Sequence, residues 1–174
     1  IFAEVLELGK VVKKDHYIDK HIELILSLPL VDKAAIEQSD FSVVVDAVNS
    51  SGGIAVPKLL RALGVNNITE LYCEPTGYFP HNPEPLPEHL TELSATIKSS
   101  KATIGITVDP DVDRLALVCE DGSMFGEEYT LVAVADYVLS KTPGVTVSNL
   151  SSTRALRDVT ESYGMQYFAS AVGE

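Results

Sequence analysis

Three aspartates alternate with other residues near the middle of the chain, and an arginine follows them directly. The segment reads Asp109-Pro110-Asp111-Val112-Asp113-Arg114. Alternate spacing in an extended or tightly turned backbone can direct several carboxylate oxygens at one point, and hard divalent cations bind such oxygens. Without a cation, three close carboxylates would repel one another. Arg114 could bind one of these carboxylates, or it could contact a phosphate beside the metal.

The residues on both sides of this acidic loop (residues 109–114) predict strands. The preceding run from Ala102 to Val108 is rich in β-branched residues, and Leu115 to Cys119 is apolar. Asp121-Gly122 then supplies a turn signal. We therefore expect the loop to join two strands, with its first aspartate at the carboxyl end of the first. Ligands of open α/β sheets bind at that end.

The acidic loop has features of two other kinds of site. An EF-hand would use aspartates at positions one, three and five and Glu120 at position twelve, but its sixth position needs glycine and here it is Arg114. An EF-hand also needs flanking helices. A haloacid-dehalogenase-type phosphatase also uses an Asp-x-Asp loop after a strand, but it continues into a helix rather than a hairpin. A calcium-binding or structural module without enzymatic activity remains the alternative function.

Strand and helix patterns alternate along the chain and predict an α/β fold. Its sheet should be mixed and mostly parallel, covered by helices in three α/β/α layers, with one antiparallel hairpin strand after Asp113. Part of a second, similar unit should follow from residue 145. The helices are expected over 17–28, over 32–38, over 55–63, from near Pro87 through Leu90, Leu93 and Ile97, over 126–141 and over 152–163. The apolar stripe of the fifth of these is predicted at Leu131, Val134, Ala135 and Val138.

Four further groups of residues could take part in chemistry, and each also has a structural explanation. His81 lies in a loop with five prolines between Glu74 and Pro87, and a surface histidine is favoured there. The Ser50-Gly53 segment could wrap a phosphate, but a tight turn is favoured. Ser152 is expected to be an N-cap and Arg154 to be exposed. Asp46, at a strand end, is expected to cap a turn.

The composition limits the partners. The chain has 174 residues, 45% hydrophobic content and a net charge of −12, so nucleic acid is not expected as a partner because a phosphate backbone needs a basic surface. No apolar run is long enough to span a bilayer. Cys73 and Cys119 are expected to be free thiols of a reducing, cytoplasmic compartment. Because the chain starts at Ile1 and stops soon after a strand pattern, we expect an internal piece of a longer protein.

The sequence resembles the α-D-phosphohexomutases, the family of phosphoglucomutase, phosphomannomutase and phosphoglucosamine mutase. Thr107 to Arg114 is similar to the family's magnesium loop, Asp-x-Asp-x-Asp-Arg. Supporting segments follow the family's order: Val45-Asp46, Gly52-Gly53, Phe79-Pro80, Asn82-Pro83-Glu84, Asp121-Gly122, Gly126, Ser152, Ala155-Leu156 and Val172-Gly173-Glu174.

The resemblance implies an enzyme that interconverts hexose 1-phosphate and hexose 6-phosphate through a phosphoserine and a bisphosphate intermediate. It implies that Mg²⁺ binds Asp109, Asp111 and Asp113, that Arg114 is catalytic and that Glu174 lies near the substrate. The substrate would be a glucose, mannose or glucosamine phosphate. The phosphoserine loop of the family is absent, so the remaining domains of the same enzyme are the implied partners and this chain alone should be inactive.

The resemblance also suggests how the chain is divided. Residues 1–16 would end a preceding domain or form a linker. Residues 17–125 would form the second domain of a phosphohexomutase, with the magnesium loop. Residues 126–174 would be a linking helix and the first half of the third domain.

Overall fold

The computed structural model describes residue 4 and residues 7–173, and it contains two compact units. The first unit runs to Val31 and contains helix α1 (Tyr17–Leu26). The second begins at Asp32 and contains the other elements. The domain boundaries inferred from the sequence, at 16/17 and 125/126, concern the domains of a longer protein and stay predictions.

The second unit alternates strands and helices as the sequence predicts. Its helices are α2 (Lys33–Gln38), α3 (Gly52–Ala62), α4 (Thr91–Ser100), α5 (Glu127–Lys141) and α6 (Ala155–Ser162), with a short 3₁₀ turn at Pro87–His89. Its strands are β1 (Ser42–Asp46), β2 (Asn67–Leu71), β3 (Ile104–Val108), β4 (Leu115–Cys119), β5 (Thr146–Asn149) and β6 (Tyr167–Ser170).

The main sheet has four strands in the order β2-β1-β3-β4. Strand β1 pairs in parallel with β2 and β3, and β4 returns antiparallel to β3. Strands β5 and β6 form a separate parallel pair, and α6 lies between them in the sequence. The predicted mixed, mostly parallel sheet with one antiparallel hairpin strand is therefore confirmed, as is the second strand–helix–strand unit.

The valines of β1 explain the three-layer packing. Val43 and Val45 face α3, where they pack with Leu60. Val44 points to the opposite face and packs with Leu93 and Ile97 of α4. Alternation along a strand sends successive side chains to opposite faces, and burial of each such side chain stabilises the fold by about 1.5–3 kcal/mol. Helices therefore cover both faces, and the carboxyl ends of β1 and β3 are fixed side by side.

Two local expectations about helices were wrong. Helix α3 begins at Gly52 rather than residue 55, so Pro57 lies inside the helix. On α5 the buried residues are Val132 and Leu139, whereas Leu131 and Val134 are exposed. Apolar side chains occur nearly all round this helix, so their spacing could not select the buried face.

Candidate metal centre

The acidic loop joins β3 to β4 at the carboxyl end of β3. Asp109 directly follows Val108, the last residue of β3, and Leu115 begins β4 opposite it. The three carboxylates of Asp109, Asp111 and Asp113 offer oxygens that all lie within 4.8 Å of one another. Asp109 is fully buried, whereas Asp111 and Asp113 are exposed. The loop thus presents a group of acidic oxygens with a buried base and a solvent-facing side.

A tight backbone turn brings these side chains together. The amide of Val112 donates to the carbonyl of Asp109 at 3.2 Å, and the amide of Asp109 donates to the carbonyl of Arg114 at 3.4 Å. Val112 takes a left-handed conformation, with φ 64°. A β-branched residue rarely adopts this conformation, and such strain of about 1–3 kcal/mol persists only where the surroundings enforce it. Strand pairing on both sides of the loop provides that enforcement.

Hydrogen bonds keep the buried Asp109 ionised. Its Oδ1 accepts from the amides of Asp113 at 3.2 Å and Arg114 at 3.1 Å, and its Oδ2 accepts from Nε of Arg114 at 2.8 Å. Burial by itself would raise the pKa of Asp109, but the hydrogen bonds from Arg114, Asp111 and Asp113 together bring the pKa below its ordinary value. Asp109 is therefore a negatively charged carboxylate that the loop already orients, and it could serve as a metal ligand.

Arg114 is held between two carboxylates. Its Nε binds Asp109, and its Nη1 binds Oε1 of Glu84 at 3.2 Å. The hydrogen bonds to Asp109 and then to Glu84 raise the pKa of Arg114, so the guanidinium stays charged. The charge of Asp111 raises the pKa of Asp113, which shows that the carboxylates of the loop repel one another.

The donor set fits a hard divalent cation. Arg114 pairs with the carboxylates of Asp109, Asp113 and Glu84, and Asp111 clusters with the other two aspartates, so the group has a net formal charge of −3. Two like charges at 4 Å repel by about 1 kcal/mol in water and about 4 kcal/mol at an effective dielectric constant of 20. A cation bound to oxygens of all three aspartates would relieve this repulsion. The acidic triad could therefore hold a metal ion.

The amino end of α3 packs directly against the acidic loop. Oγ of Ser51 donates to the carbonyl of Pro110 at 3.3 Å. A Cβ at Gly52 would lie 2.5 Å from the side chain of Val108, and a Cβ at Gly53 would lie 2.1 Å from the carbonyl oxygen of Cys73. The two glycines therefore allow helix and strand ends to approach closely, which is the structural role favoured from the sequence.

Asp46 and His81 form a buried pair beside this centre. Oδ1 of Asp46 accepts from the amide of Val48 at 3.0 Å, the turn-capping role expected from the sequence. Its Oδ2 lies 3.0 Å from Nε2 of His81, whose Nδ1 lies 2.8 Å from the carbonyl oxygen of Asn82. Burial raises the pKa of Asp46. His81 is 18% exposed in this pair, so this histidine of the proline-rich loop is partly buried by its contact with Asp46.

The contact between Asp46 and His81 joins two parts of the chain that are remote in sequence. Sequence reasoning missed both this pair and the contact of Glu84 with Arg114, because 35 and 30 positions separate the partners. Only the proline-rich segment between Glu74 and Pro87 drew attention to this region.

The remaining candidates lie elsewhere or have structural partners. Ser152 does not cap α6, because its hydroxyl donates to Oδ1 of Asn149 at 3.0 Å, and the helix begins only at Ala155. Arg154 is exposed, as expected, and lies near Asp158.

Burial raises the pKa of the Cys73 thiol to about 12, so this thiol is protonated near neutral pH. Glu174 lies outside the described residues.

The geometry excludes the two rival readings. Strands rather than helices flank the acidic loop, and Glu120 follows β4 at the other end of the hairpin, roughly 17 Å along the strand. It cannot complete an EF-hand ligand set with Asp109. The chain also returns from the loop as strand β4, whereas the phosphatase reading requires a helix.

Within the part of the chain that the structure describes, no helix is long and apolar enough to cross a membrane.

Comparison with known proteins points to one family. Residues 15–122 match the family described as phosphoglucomutase/phosphomannomutase, α/β/α domain II. A phosphoglucomutase of Neisseria gonorrhoeae is 38% identical over 76% of this chain and 29% of its own length. A phosphoglucomutase/phosphomannomutase of Thermococcus kodakarensis is 33% identical over 97% of this chain and 36% of its own length.

A solved structure agrees with these sequence matches. It is a phosphoglucomutase/phosphomannomutase family protein of Burkholderia thailandensis, with a TM-score of 0.74 and 30% identity over 90% of this chain and 33% of that chain. This chain therefore spans about a third of the length of the relatives that it matches.

Proposed function

The chain belongs to the phosphoglucomutase/phosphomannomutase family, and we propose that it supplies the magnesium-binding part of a phosphohexomutase. The observation that carries the proposal is the acidic triad at the carboxyl end of β3, with its three oxygens within 4.8 Å. This part would act together with further domains of a longer chain. Two free cysteines support a cytoplasmic location.

The reaction proposed is a double phosphoryl transfer on a hexose monophosphate. A phosphoserine in another domain gives its phosphoryl group to the free sugar hydroxyl, so that one P–O bond breaks on serine and another forms on the sugar. The bisphosphate reorients and returns its other phosphoryl group to the serine. The product is the isomeric hexose monophosphate. The choice among glucose, mannose and glucosamine phosphates would be made in those other domains.

The residues of this chain would hold and orient the reacting phosphoryl group. Asp109, Asp111 and Asp113 are the proposed ligands of Mg²⁺, which when bound would stabilise negative charge on the phosphoryl oxygens. Arg114 is fixed through Nε and Nη1, and its remaining N–H groups would donate to a phosphoryl oxygen. Glu174, which the resemblance places near the sugar, is proposed as a substrate contact.

The test is a mutase assay on this chain extended to the length of its relatives. We expect conversion of glucose 1-phosphate to glucose 6-phosphate, whereas the present chain alone should be inactive. Asp111→Asn in the extended chain should lower kcat by about 100-fold or more, because an electrostatic contact to the reacting group is weakened.

Glu120→Gln is the matched control. It removes one carboxylate from the same hairpin but at the end remote from the triad, so kcat should stay within about twofold of wild type. Unchanged kinetics in Asp111→Asn would remove the loop from the mechanism. An equal loss of kcat in Glu120→Gln would show that the effect of Asp111→Asn is not specific to the triad.

A further inference from the structure

Glu84 contacts Arg114 from a part of the chain that is remote in sequence. It lies in the proline-rich loop (residues 74–87), and its Oε1 is 3.2 Å from Nη1 of Arg114. Arg114 in turn donates from Nε to Oδ2 of Asp109 at 2.8 Å. Two acceptors on different nitrogens fix both the position and the plane of the guanidinium, which one acceptor alone would not do.

The proline-rich loop that carries Glu84 is itself anchored at the end of β1. Nε2 of His81 lies 3.0 Å from the buried carboxylate of Asp46, and Nδ1 binds the carbonyl of Asn82 at 2.8 Å. The side chain of Asn82 then accepts from the amide of Glu84 at 3.1 Å. A continuous series of hydrogen bonds therefore runs from the end of β1, through this loop, to Arg114 and Asp109.

A second attachment keeps the start of the loop in place. The amide of Gly77 donates to the carbonyl of Asn49 at 3.0 Å, and the side chain of Asn49 donates to the carbonyl of Tyr78 at 3.1 Å. The ring of Tyr72 also packs edge-on against His81, with centroids 5.7 Å apart. The prolines restrict the backbone between these points, so little freedom remains at Glu84.

From this arrangement we propose that Glu84 is a positioning residue for Arg114, and that the Asp46–His81 pair anchors the loop that presents it. Nε and Nη1 of Arg114 are occupied by these contacts, and among the described residues Nη2 has no hydrogen-bond partner. Asp109 and Glu84 thus determine the direction in which the remaining N–H groups of Arg114 can donate hydrogen bonds to an anion. The catalytic part of this inference rests on the proposed function, whereas the positioning itself does not.

The first test is hydrogen exchange at the Arg114 Nε–H, measured by NMR on this chain. Glu84→Ala should speed exchange about two- to fivefold, because the loss of one acceptor in an exposed charge pair frees the guanidinium only in part. Glu84→Gln should recover much of the protection, since its amide oxygen can still accept from Nη1. His81→Phe keeps an aromatic ring beside Tyr72 but removes both ring hydrogen bonds, and it should speed exchange like Glu84→Ala.

Glu88→Ala is the control, because it removes an exposed carboxylate just beyond the loop. Its Arg114 exchange rate should equal that of the wild type. Equal rates in Glu84→Ala, Glu88→Ala and wild type would overturn the proposal, whether or not the longer enzyme is active.

The second test uses the extended chain of the mutase assay. Glu84→Ala should lower kcat about tenfold with KM changed less than about twofold, because orientation of Arg114 matters in the transition state, and Glu84→Gln should recover most of kcat. Unchanged kcat in Glu84→Ala would overturn the catalytic part. An extended chain without mutase activity would refute the proposed function, while the exchange measurement would still decide the role of Glu84.

Discussion

Asp109 shows how a single residue can be both buried and ionised. Desolvation of an isolated carboxylate would favour the protonated form, yet two backbone amides and a guanidinium donate to this one. The same bonds that lower its pKa also fix its orientation. The orientation of Asp109 is therefore set by the protein itself, whereas Asp111 and Asp113 are exposed.

Asp46 is the opposite case, and it leads to a prediction about pH. Burial raises its pKa above the ordinary value of 3.8, although Val48 and His81 partly oppose this and Glu92 adds to it. A carboxyl with a raised folded-state pKa stabilises the fold fully below pH 3.8 and loses that contribution as pH rises through the folded-state pKa. Asp46→Asn removes this titration and keeps the shape of the side chain, with an amide oxygen that can still accept from the amide of Val48.

The measurement is urea unfolding of both proteins at a series of pH values. The unfolding free energy of wild type minus that of Asp46→Asn should fall as pH rises from about 3.8 through the raised pKa. Asp40→Asn, at an exposed aspartate, controls for the loss of one carboxyl group. A difference for Asp46→Asn that does not change with pH would contradict a raised pKa at this position.

The clustering of the acidic triad could be predicted from the sequence because its three aspartates lie within five consecutive residues. Local spacing and flanking strand patterns were enough to place the loop at a strand end. The contacts of Glu84 with Arg114 and of His81 with Asp46 depend on how the proline-rich loop folds back over the sheet. No pattern in a single sequence specifies that path.

At the scale of elements, the close approach of α3 to the strand ends depends on Gly53. A Cβ there would lie 2.1 Å from the carbonyl oxygen of Cys73, and a backbone atom cannot move aside as a flexible side chain can. Gly53→Ala should therefore lower the unfolding free energy by about 3 kcal/mol or more. Urea denaturation with a single spectroscopic probe would measure the change.

Gly144→Ala is the matched control for this substitution. Its nearest contact, the carbonyl oxygen of Thr142, is at 4.0 Å, so an added methyl group meets little resistance. The expected change is within about 0.5 kcal/mol. Similar small effects for both glycines would show that α3 can shift away from Cys73 at little cost.

The sequence predicted which helices and strands exist better than it predicted where a helix begins or which of its faces is buried. Strands β3 and β4 were found because β-branched residues in the first and apolar residues in the second are concentrated next to turn signals. The early start of α3 was missed because Gly52 and Gly53 resemble a loop in sequence, although packing against the strand ends requires them inside the helix. The buried face of α5 was missed because exposed apolar residues such as Leu131 mimic the pattern of a core stripe.

At the scale of the whole molecule, the charge of −12 bears on how metal binding should be measured. Any divalent cation is attracted to such a chain, so binding of ions alone does not identify a site. Screening acts on all exposed charges together, whereas a specific site depends on individual ligands. A variant that removes one ligand separates the two effects.

Mg²⁺ at 100 times its dissociation constant should stabilise the chain by about 2.7 kcal/mol if it binds only the folded state. For a chain of this size, that corresponds to a rise in Tm of roughly 5–10 °C. The affinity should be weak, since three carboxylates on one loop leave several coordination positions to water, so millimolar concentrations will be needed. Calorimetry at constant ionic strength, with NaCl replacing MgCl₂, removes the screening contribution. Asp111→Asn should lose most of the rise and Glu120→Gln should keep it, and an equal rise in both variants would mean that the ion binds diffusely rather than at the triad.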